Sequence, residues 1–338
     1  MKLIVITGIT GQQGGSVADA FLADKSWCIR AITRDPSRPS AQEWTARGVE
    51  LVRGDADDVS SLTAAFTGAH AIFAMTDYWA PLSDPAVQAE AAQRKISLNQ
   101  RCAEIEVQRG RNIALAAASP DVQKTLERLV YSSLGNYSKL SGGRYTQVWH
   151  CDSKAAVEQY MREHPLLGPL ASSIHMSIYV DNWRRIPLDI QQDPVTGGYW
   201  HVTIDDGRKP VPMVWTRRDT GTLVKKLVED VQPGARLLGY SQMISRRDMM
   251  ATISRVLSIE LAGDQGIKQI SDGEFKAMIR GSDDHKEHVL QIWQMLRDFG
   301  YDGGDPDTVY LEDIGAEGLV TSFEEYVKWE DWSELLAR

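Results

Sequence analysis

The sequence predicts an α/β protein, a doubly wound parallel sheet with a smaller α+β lobe after it. Three observations carry that prediction. Residues 2–7 form a short apolar run of strand type, and they lead through a glycine-rich turn directly into a helical pattern with Val17, Ala20, Phe21 and Leu22 on one face. The first half of the chain then alternates strand-like and helix-like segments, the signature of βαβ units. Past Asn182 the alternation gives way to short strand candidates mixed with helices.

In order, residues 28–33 read as the second strand, 40–47 as a helix, 49–53 as the third strand, 59–66 as a helix and 70–75 as the fourth strand. One long amphipathic helix is expected over 86–118, a fifth strand over 128–132, a helix over 153–162 and a strand over 172–177. The later strands are placed at 198–204 and 236–240, and the later helices near 219–230, 245–257, 272–280 and 285–299. Glycine and proline mark joins at 193–198 and 209–212. The last forty residues, with Trp329, Trp332, Leu335 and Leu336, read as a docking tail. The division expected is 1–180 for a nucleotide-binding domain and 181–338 for a substrate or partner lobe interleaved with the sheet.

The 338 residues suffice for a sizeable core. A net charge of −9 with no basic run argues against direct nucleic-acid binding. The three cysteines (Cys28, Cys102, Cys151) are odd in number and lack C-x-x-C spacing, so neither a disulfide framework nor a zinc site is expected. A chain that enters a strand at once leaves no room for a signal or transit peptide. No apolar stretch approaches the roughly 20 residues needed to span a bilayer. The expectation is a soluble cytoplasmic protein with no membrane contact. Of its ten tryptophans, Trp79, Trp149, Trp183, Trp200 and Trp215 fall in expected loops, where they serve as core or interface anchors or line a pocket.

The turn Gly8-Ile-Thr-Gly11-Gln-Gln-Gly14 has the geometry that sets a helix N-terminus against a pyrophosphate. Gly8 permits the tight turn, Gly11 a close backbone approach, and Gly14 close packing of helix on strand; Thr10, Gln12 and Gln13 complete the cradle. Its G-x-x-G-x-x-G spacing resembles extended and atypical short-chain dehydrogenase/reductases. Arg34 stands twenty residues after Gly14, at the end of the second strand. A carboxylate there would bind a ribose 2′-hydroxyl, whereas arginine fits a 2′-phosphate, with Arg38 close enough to assist. The expected cofactor is therefore NADP(H). After the third strand, Asp55 is assigned to the adenine amino group beside Ala56, the alternative being a cap for the 58–66 helix. Thr76 follows the fourth strand near the pyrophosphate and nicotinamide ribose, and Ser133 ends the fifth, where a hydroxyl faces the nicotinamide.

His150 and Lys154 lie four apart, on one face of a helix. A lysine there orients the ribose hydroxyls and lowers the pKa of a neighbouring acid. His150 can exchange the proton that accompanies hydride transfer to a carbonyl. The alternative is an Asp152 N-cap beside a surface lysine.

Together with Phe73-Ala-Met-Thr-Asp-Tyr-Trp79, Leu129-Val-Tyr-Ser-Ser133, Asp152-Ser-Lys154, Ile178-Tyr-Val-Asp-Asn-Trp183 and Asp219-Thr-Gly221, the glycine turn resembles the NmrA-like family. This atypical branch of the short-chain dehydrogenase/reductases is matched over nearly the whole chain. The resemblance implies a Rossmann domain, a small C-terminal substrate lobe and a dinucleotide in the cleft, held in part by Lys154 and Tyr179. The chain departs from the common Tyr-x-x-x-Lys pattern in carrying His150 at the tyrosine position, with Tyr137 and Tyr145 as substitutes for the acid. Some family members are reductases, including fungal secondary-metabolite reductases; others are NADP(H)-reading regulators that bind a protein partner.

The activity expected first is therefore NADPH-dependent reduction of a carbonyl or conjugated double bond in an apolar, aromatic metabolite. In it Lys154, His150 and Ser133 carry the chemistry, and Trp79, Trp149 and Tyr179 wall the substrate. A non-catalytic NADP(H) sensor that binds a protein partner is the alternative, followed by a non-redox isomerase, dehydratase or cyclase on the same fold.

Overall fold

The computed structural model describes residues 1–185 and 190–336. Its main sheet contains β1 (Lys2–Thr7), β2 (Trp27–Thr33), β3 (Glu50–Arg53), β4 (Ala71–Ala74), β5 (Arg128–Ser133) and β6 (Ala171–Met176). Two strands from the second half, Arg236–Gly239 and Thr308–Val309, extend it beyond β6. The order is Thr308–Val309, Arg236–Gly239, β6, β5, β4, β1, β2, β3, and every pairing is parallel. The order reverses between β1 and β4. That reversal opens a crevice at the carboxyl ends of the strands, where open α/β sheets bind ligands.

Alternation along β1 explains the two layers. Ile4 and Ile6 point to one face and pack with Val17 and Phe21 of helix α1 (Gln12–Leu22) and Leu223, Val224 and Leu227 of the Thr216–Glu229 helix. Val5 points to the other face, against Leu62, Phe66, Ile113, Val157 and Met161. Close approach does the rest. A Cβ on Gly221 would stand 2.0 Å from Ser16 O, and one on Gly110 would stand 2.3 Å from Val157 Cγ2. The Gly221 amide donates to Ser16 Oγ at 2.8 Å. A helix from the second half is thereby seated on the first helix of the chain.

The rest of the second half forms two three-stranded sheets: Ile178–Tyr179, Pro210–Val214 and Gln242–Ser245, and Ile190–Gln192, Tyr199–Thr203 and Ile267–Gln269. Their core includes Trp183, Met213, Met250, Ile253 and Tyr326. The C-terminal residues dock there: Trp332 stacks on Trp183 at 4.6 Å, and Leu335 is buried, while Trp329 stays exposed. Asp219 accepts hydrogen bonds from Ser241 Oγ and, at 2.6 Å, from Thr321 Oγ1, tying the tail to the helix that carries Gly221.

Two sequence expectations are corrected. The helix expected over 86–118 is two helices, Pro85–Arg94 and Leu98–Ala117. Lys95 takes a left-handed conformation (φ 54°), and Ser97 caps the second helix through the Gln100 amide, so an amphipathic pattern ran through a genuine break. The join at 209–212 is instead the start of the Pro210–Val214 strand, whose Pro210 sits at the first strand position, where a missing N–H is tolerated.

The Gly221 contact yields a stability test. Gly221→Ala should lower the unfolding free energy by about 1–3 kcal/mol, since backbone rather than a flexible side chain obstructs the methyl group. Gly273→Ala, in a short helix with nothing within 4 Å, should be neutral or slightly stabilising. Urea denaturation of both variants checks this; equal effects would contradict the packing argument.

Candidate functional site

The site starts at the turn after β1. Gly8 has φ 71°, its carbonyl accepts from the Gly11 amide at 2.9 Å, and a Cβ on Gly14 would stand 2.3 Å from Gly8 O. Only glycine permits that approach. Gly11 is the N-cap of α1 and brings no side-chain acceptor to the first turn, so the helix amides face the crevice. A strap from the second half lies across the turn: Gln12 Nε2 donates to Asp181 Oδ2 at 2.6 Å and Gln13 Nε2 to Tyr179 OH at 2.7 Å. Gln13 Oε1 is buried and has no hydrogen-bond partner among the described residues. A turn too tight for a Cβ at Gly8 or Gly14 and a helix N-terminus with no side-chain cap fit the pyrophosphate of a dinucleotide.

At the far edge, Arg34 is exposed and Arg38 pairs with Asp35 at 3.6 Å. A cleft of about 490 Å³ there is lined by Arg34, Arg53, Gly54, Asp55, Asp57, Asp58 and Ser61. The cap of the Val59–Phe66 helix is Asp58, which accepts from the Ser60 and Ser61 amides; Asp55 instead accepts from the Asp57 amide at 3.0 Å. The loop is braced by the long helix. Arg109 grips Asp57 through two bonds, 2.9 and 2.7 Å, and holds its carboxyl below the usual range, while Asn112 Nδ2 donates to Ala56 O at 2.8 Å.

At the ends of β4 and β5 the structure gathers Thr76, Lys154 and a residue that the sequence reading missed, Glu106. Glu106 is fully buried on the Leu98–Ala117 helix. One of its oxygens, Oε1, takes the Lys154 ammonium and the Thr76 hydroxyl (2.7 Å), and the other accepts from Ser153 Oγ at 2.5 Å. Lys154 also reaches Thr76 O at 3.1 Å and Thr76 Oγ1 at 3.4 Å, and Thr76 Oγ1 lies 2.9 Å from Tyr131 OH. A signal for Glu106 existed. Cys102, Ala103, Glu106, Gly110 and Ile113 fall on one helical stripe, and a carboxylate inside such a stripe is buried and needs a cation.

His150 and Lys154 share the Trp149–Glu163 helix, whose N-cap is Val148; Asp152 lies within its first turn and accepts from the Ser138 amide at 3.1 Å. His150 does not face the crevice alone. Its Nδ1 lies 2.9 Å from Nε2 of His288, on the Asp283–Asp298 helix, and its Nε2 lies 3.3 Å from Cys151 Sγ. Burial, His288 and Lys154 push the His150 imidazole well below its ordinary pKa. Burial, then His285, lowers His288 to about 4. Both rings are therefore neutral at pH 7. Tyr78 stacks on His288 at 5.6 Å, and Trp79, 46% exposed, leans on His150 at 5.1 Å. Trp149 packs instead against Tyr78, Cys102 and Ala103.

The hydroxyls are committed elsewhere. Ser133 is buried and donates to Leu134 O at 3.4 Å. Tyr145 OH donates to Asp298, and Tyr137 is buried, which raises its phenol well above the ordinary range. Among the described residues no group of three histidine, cysteine or acidic side chains is arranged to hold a metal, and no helix is long and apolar enough to cross a membrane.

Comparison with known proteins bears on this arrangement. The model of the NmrA-like family matches residues 1–336. The NmrA-like family domain-containing oxidoreductase hkm9 of Aspergillus hancockii is 27% identical over 240 residues, 68% of this chain and 64% of that protein. The matched region thus falls short of two thirds of that relative's length. Among solved structures, NmrA, a negative transcriptional regulator in complex with NADP, superposes with a TM-score of 0.72 at 21% identity, covering 97% of this chain and 94% of that one. The Citrobacter sp. triphenylmethane reductase complexed with NADP(H) superposes at 0.65 and 18% identity, covering 96% and 99%. At these identities the superpositions establish the Rossmann-type fold.

The neutral histidines make acid stability a test of the site. In the unfolded chain each histidine titrates near 6.5, whereas His150 and His288 in the fold resist protonation. Between pH 6.5 and about 4 the unfolded state therefore binds more protons, and stability falls as pH drops, by up to about 1.4 kcal/mol per pH unit for each histidine. His201, lowered to about 3 mainly by burial, and His285 act in the same direction. Urea midpoints measured from pH 7 to pH 4.5 should fall, and His288→Gln should make the fall shallower. An unchanged slope would contradict a buried neutral pair.

Proposed function

This chain belongs to the NmrA-like family, and from that premise we propose that it is an NADPH-dependent reductase of a carbonyl or conjugated double bond in an apolar, aromatic small molecule. The observation that carries the proposal is the placement of Lys154. Its ammonium is held by Glu106 and Thr76 at the carboxyl ends of β4 and β5, beside the crevice that opens at the glycine turn. The oxidoreductase name of the fungal relative and the NADP(H)-bound triphenylmethane reductase support the same reading, while the NADP-bound regulator NmrA supports the cofactor alone.

NADPH bound there supplies hydride from its nicotinamide C4. Lys154 orients the ribose hydroxyls. Its 3.4 Å contact to Thr76 Oγ1 is the weakest of its bonds and the one a ribose hydroxyl would replace. Because Glu106 already offsets the lysine charge, Lys154 works chiefly by position. Trp79 offers its exposed face to a flat apolar substrate, with Tyr179 on the strap as the opposite wall. His150 is assigned the proton. Its ring is neutral, with Nδ1 on His288 and Nε2 beside Cys151, so it would have to release one of these partners and take a proton from solvent in each cycle to give one to a substrate oxygen.

One observation favours a second reading, a nucleotide sensor without turnover. Tyr131, Tyr137 and Tyr145 are all buried, and the hydroxyls of Tyr131 and Tyr145 are bonded, so none stands as the acid of a Tyr-x-x-x-Lys site. The two readings separate in one experiment: NADPH oxidation against aromatic enones, quinones and aldehydes, with deuterium transfer from C4-labelled NADPH as the readout. The reductase reading expects label in the product and a loss of about 100-fold or more in kcat/KM for Lys154→Ala with His150→Phe. Native rates in that variant would overturn the roles given to Lys154 and His150. NADPH binding with no label transfer to any acceptor would favour the sensor.

A further inference from the structure

We infer that Arg53 joins Arg34 in a two-guanidinium clamp for the 2′-phosphate of NADP(H), and that this pair, not Arg34 with Arg38, sets the preference for the phosphorylated dinucleotide. The inference rests on reading the glycine turn as a dinucleotide site.

Strand register brings the two residues to the same end of the sheet. β2 and β3 run parallel with Thr33 paired to Arg53, so Arg34, just past β2, and Arg53, the last residue of β3, stand at the carboxyl ends of adjacent strands. Both line the 490 Å³ cleft beyond β2 and β3. Both are exposed, and among the described residues neither has a carboxylate within ion-pair distance. The neighbouring cations differ. Arg38 is drawn to Asp35, and Arg30 of β2, four residues before Arg34, pairs with Glu50 at 2.9 Å.

The cleft also holds three carboxylates, which at first sight would repel a phosphate. Only Asp57 is ion-paired, by the two bonds from Arg109; Asp58 accepts from the Ser60 and Ser61 amides and Asp55 from the Asp57 amide, which orient them without removing their charge. Against those charges, Arg34 and Arg53 are the cleft-lining cations that can meet an anion. A terminal phosphate presents three oxygens and close to two negative charges, enough for a fork from each guanidinium, whereas a ribose hydroxyl offers nothing that would hold two arginines together. A Cβ on Gly54 would stand 2.7 Å from Ile32 Cγ2, so the end of β3 packs closely on the β2 side chains.

Isothermal titration of the full chain with NADP⁺ and NAD⁺ tests this, with Arg53→Ala, Arg34→Ala, Arg38→Ala and the Arg34→Ala/Arg53→Ala double variant. Exposed positions on intact strand ends leave folding unaffected, and NAD⁺ binding is the internal control. Arg53→Ala should weaken NADP⁺ by about 10–100-fold while NAD⁺ changes less than about twofold, the scale of one charged hydrogen-bonding group. Arg38→Ala should cost less than Arg53→Ala, and the double variant should bring the two nucleotides close to parity. Equal losses for both nucleotides in Arg53→Ala, no loss for either, or a larger effect from Arg38→Ala would overturn the clamp. A native protein that binds NAD⁺ as tightly as NADP⁺ would overturn it as well. A native protein that binds neither nucleotide would instead overturn the dinucleotide reading on which it rests.

Discussion

A carboxylate with no exposure to water is costly unless its charge is matched and its lone pairs filled, and Glu106 meets both conditions at the centre of the site. Its partners come from three other elements. Thr76 leaves β4, Ser153 and Lys154 sit on the Trp149–Glu163 helix, and Tyr131 of β5 closes the network through Thr76. Every oxygen and hydroxyl in the group has a partner, so the network is rigid as well as satisfied. It locks the lysine to the strand ends. It also removes the net positive charge that an unpaired lysine would bring to the nicotinamide end of the crevice. The chemistry available there is therefore positional, with neutral aromatic and imidazole walls rather than a strong local field.

Around that point the two halves of the chain are fastened at separate places. Gly221 seats a late helix on Ser16 of α1, the Tyr179–Asp181 strap bonds to Gln12 and Gln13 beside the glycine turn, and His288 meets His150 across the other wall. The glycine turn and the helix that carries Lys154 thus each touch the second half directly. A nucleotide bound in the crevice would press on both contacts. A ligand could shift the arrangement of the halves only by the difference in its affinity for two arrangements.

The parts of this legible in sequence are those with a local signature. The strand–glycine turn–helix at residues 8–14, the alternation of β1 to β6, and the four-residue spacing of His150 and Lys154 all depend on neighbours in the chain. The parts that were not legible depend on residues far apart. His288 lies 138 residues from His150, and Arg53 gains its meaning only from the cleft it shares with Arg34 at the strand ends. The break at Lys95 was hidden because the helices on either side share one amphipathic pattern, and an isolated left-handed lysine has no sequence signal comparable to a glycine. Glu106 lies between these cases. Its place on an apolar stripe was visible, but its partner was not.

Where a nicotinamide ring lies relative to Lys154 is the decisive quantity, and a crystal structure of the NADP⁺ complex measures it directly. The ribose hydroxyls should lie within hydrogen-bond distance of Lys154 Nζ, with Glu106 still behind the lysine and nicotinamide C4 facing open space beside Trp79 and His150. A ring turned away from Lys154, or C4 packed against protein with no room for a substrate, would contradict this arrangement.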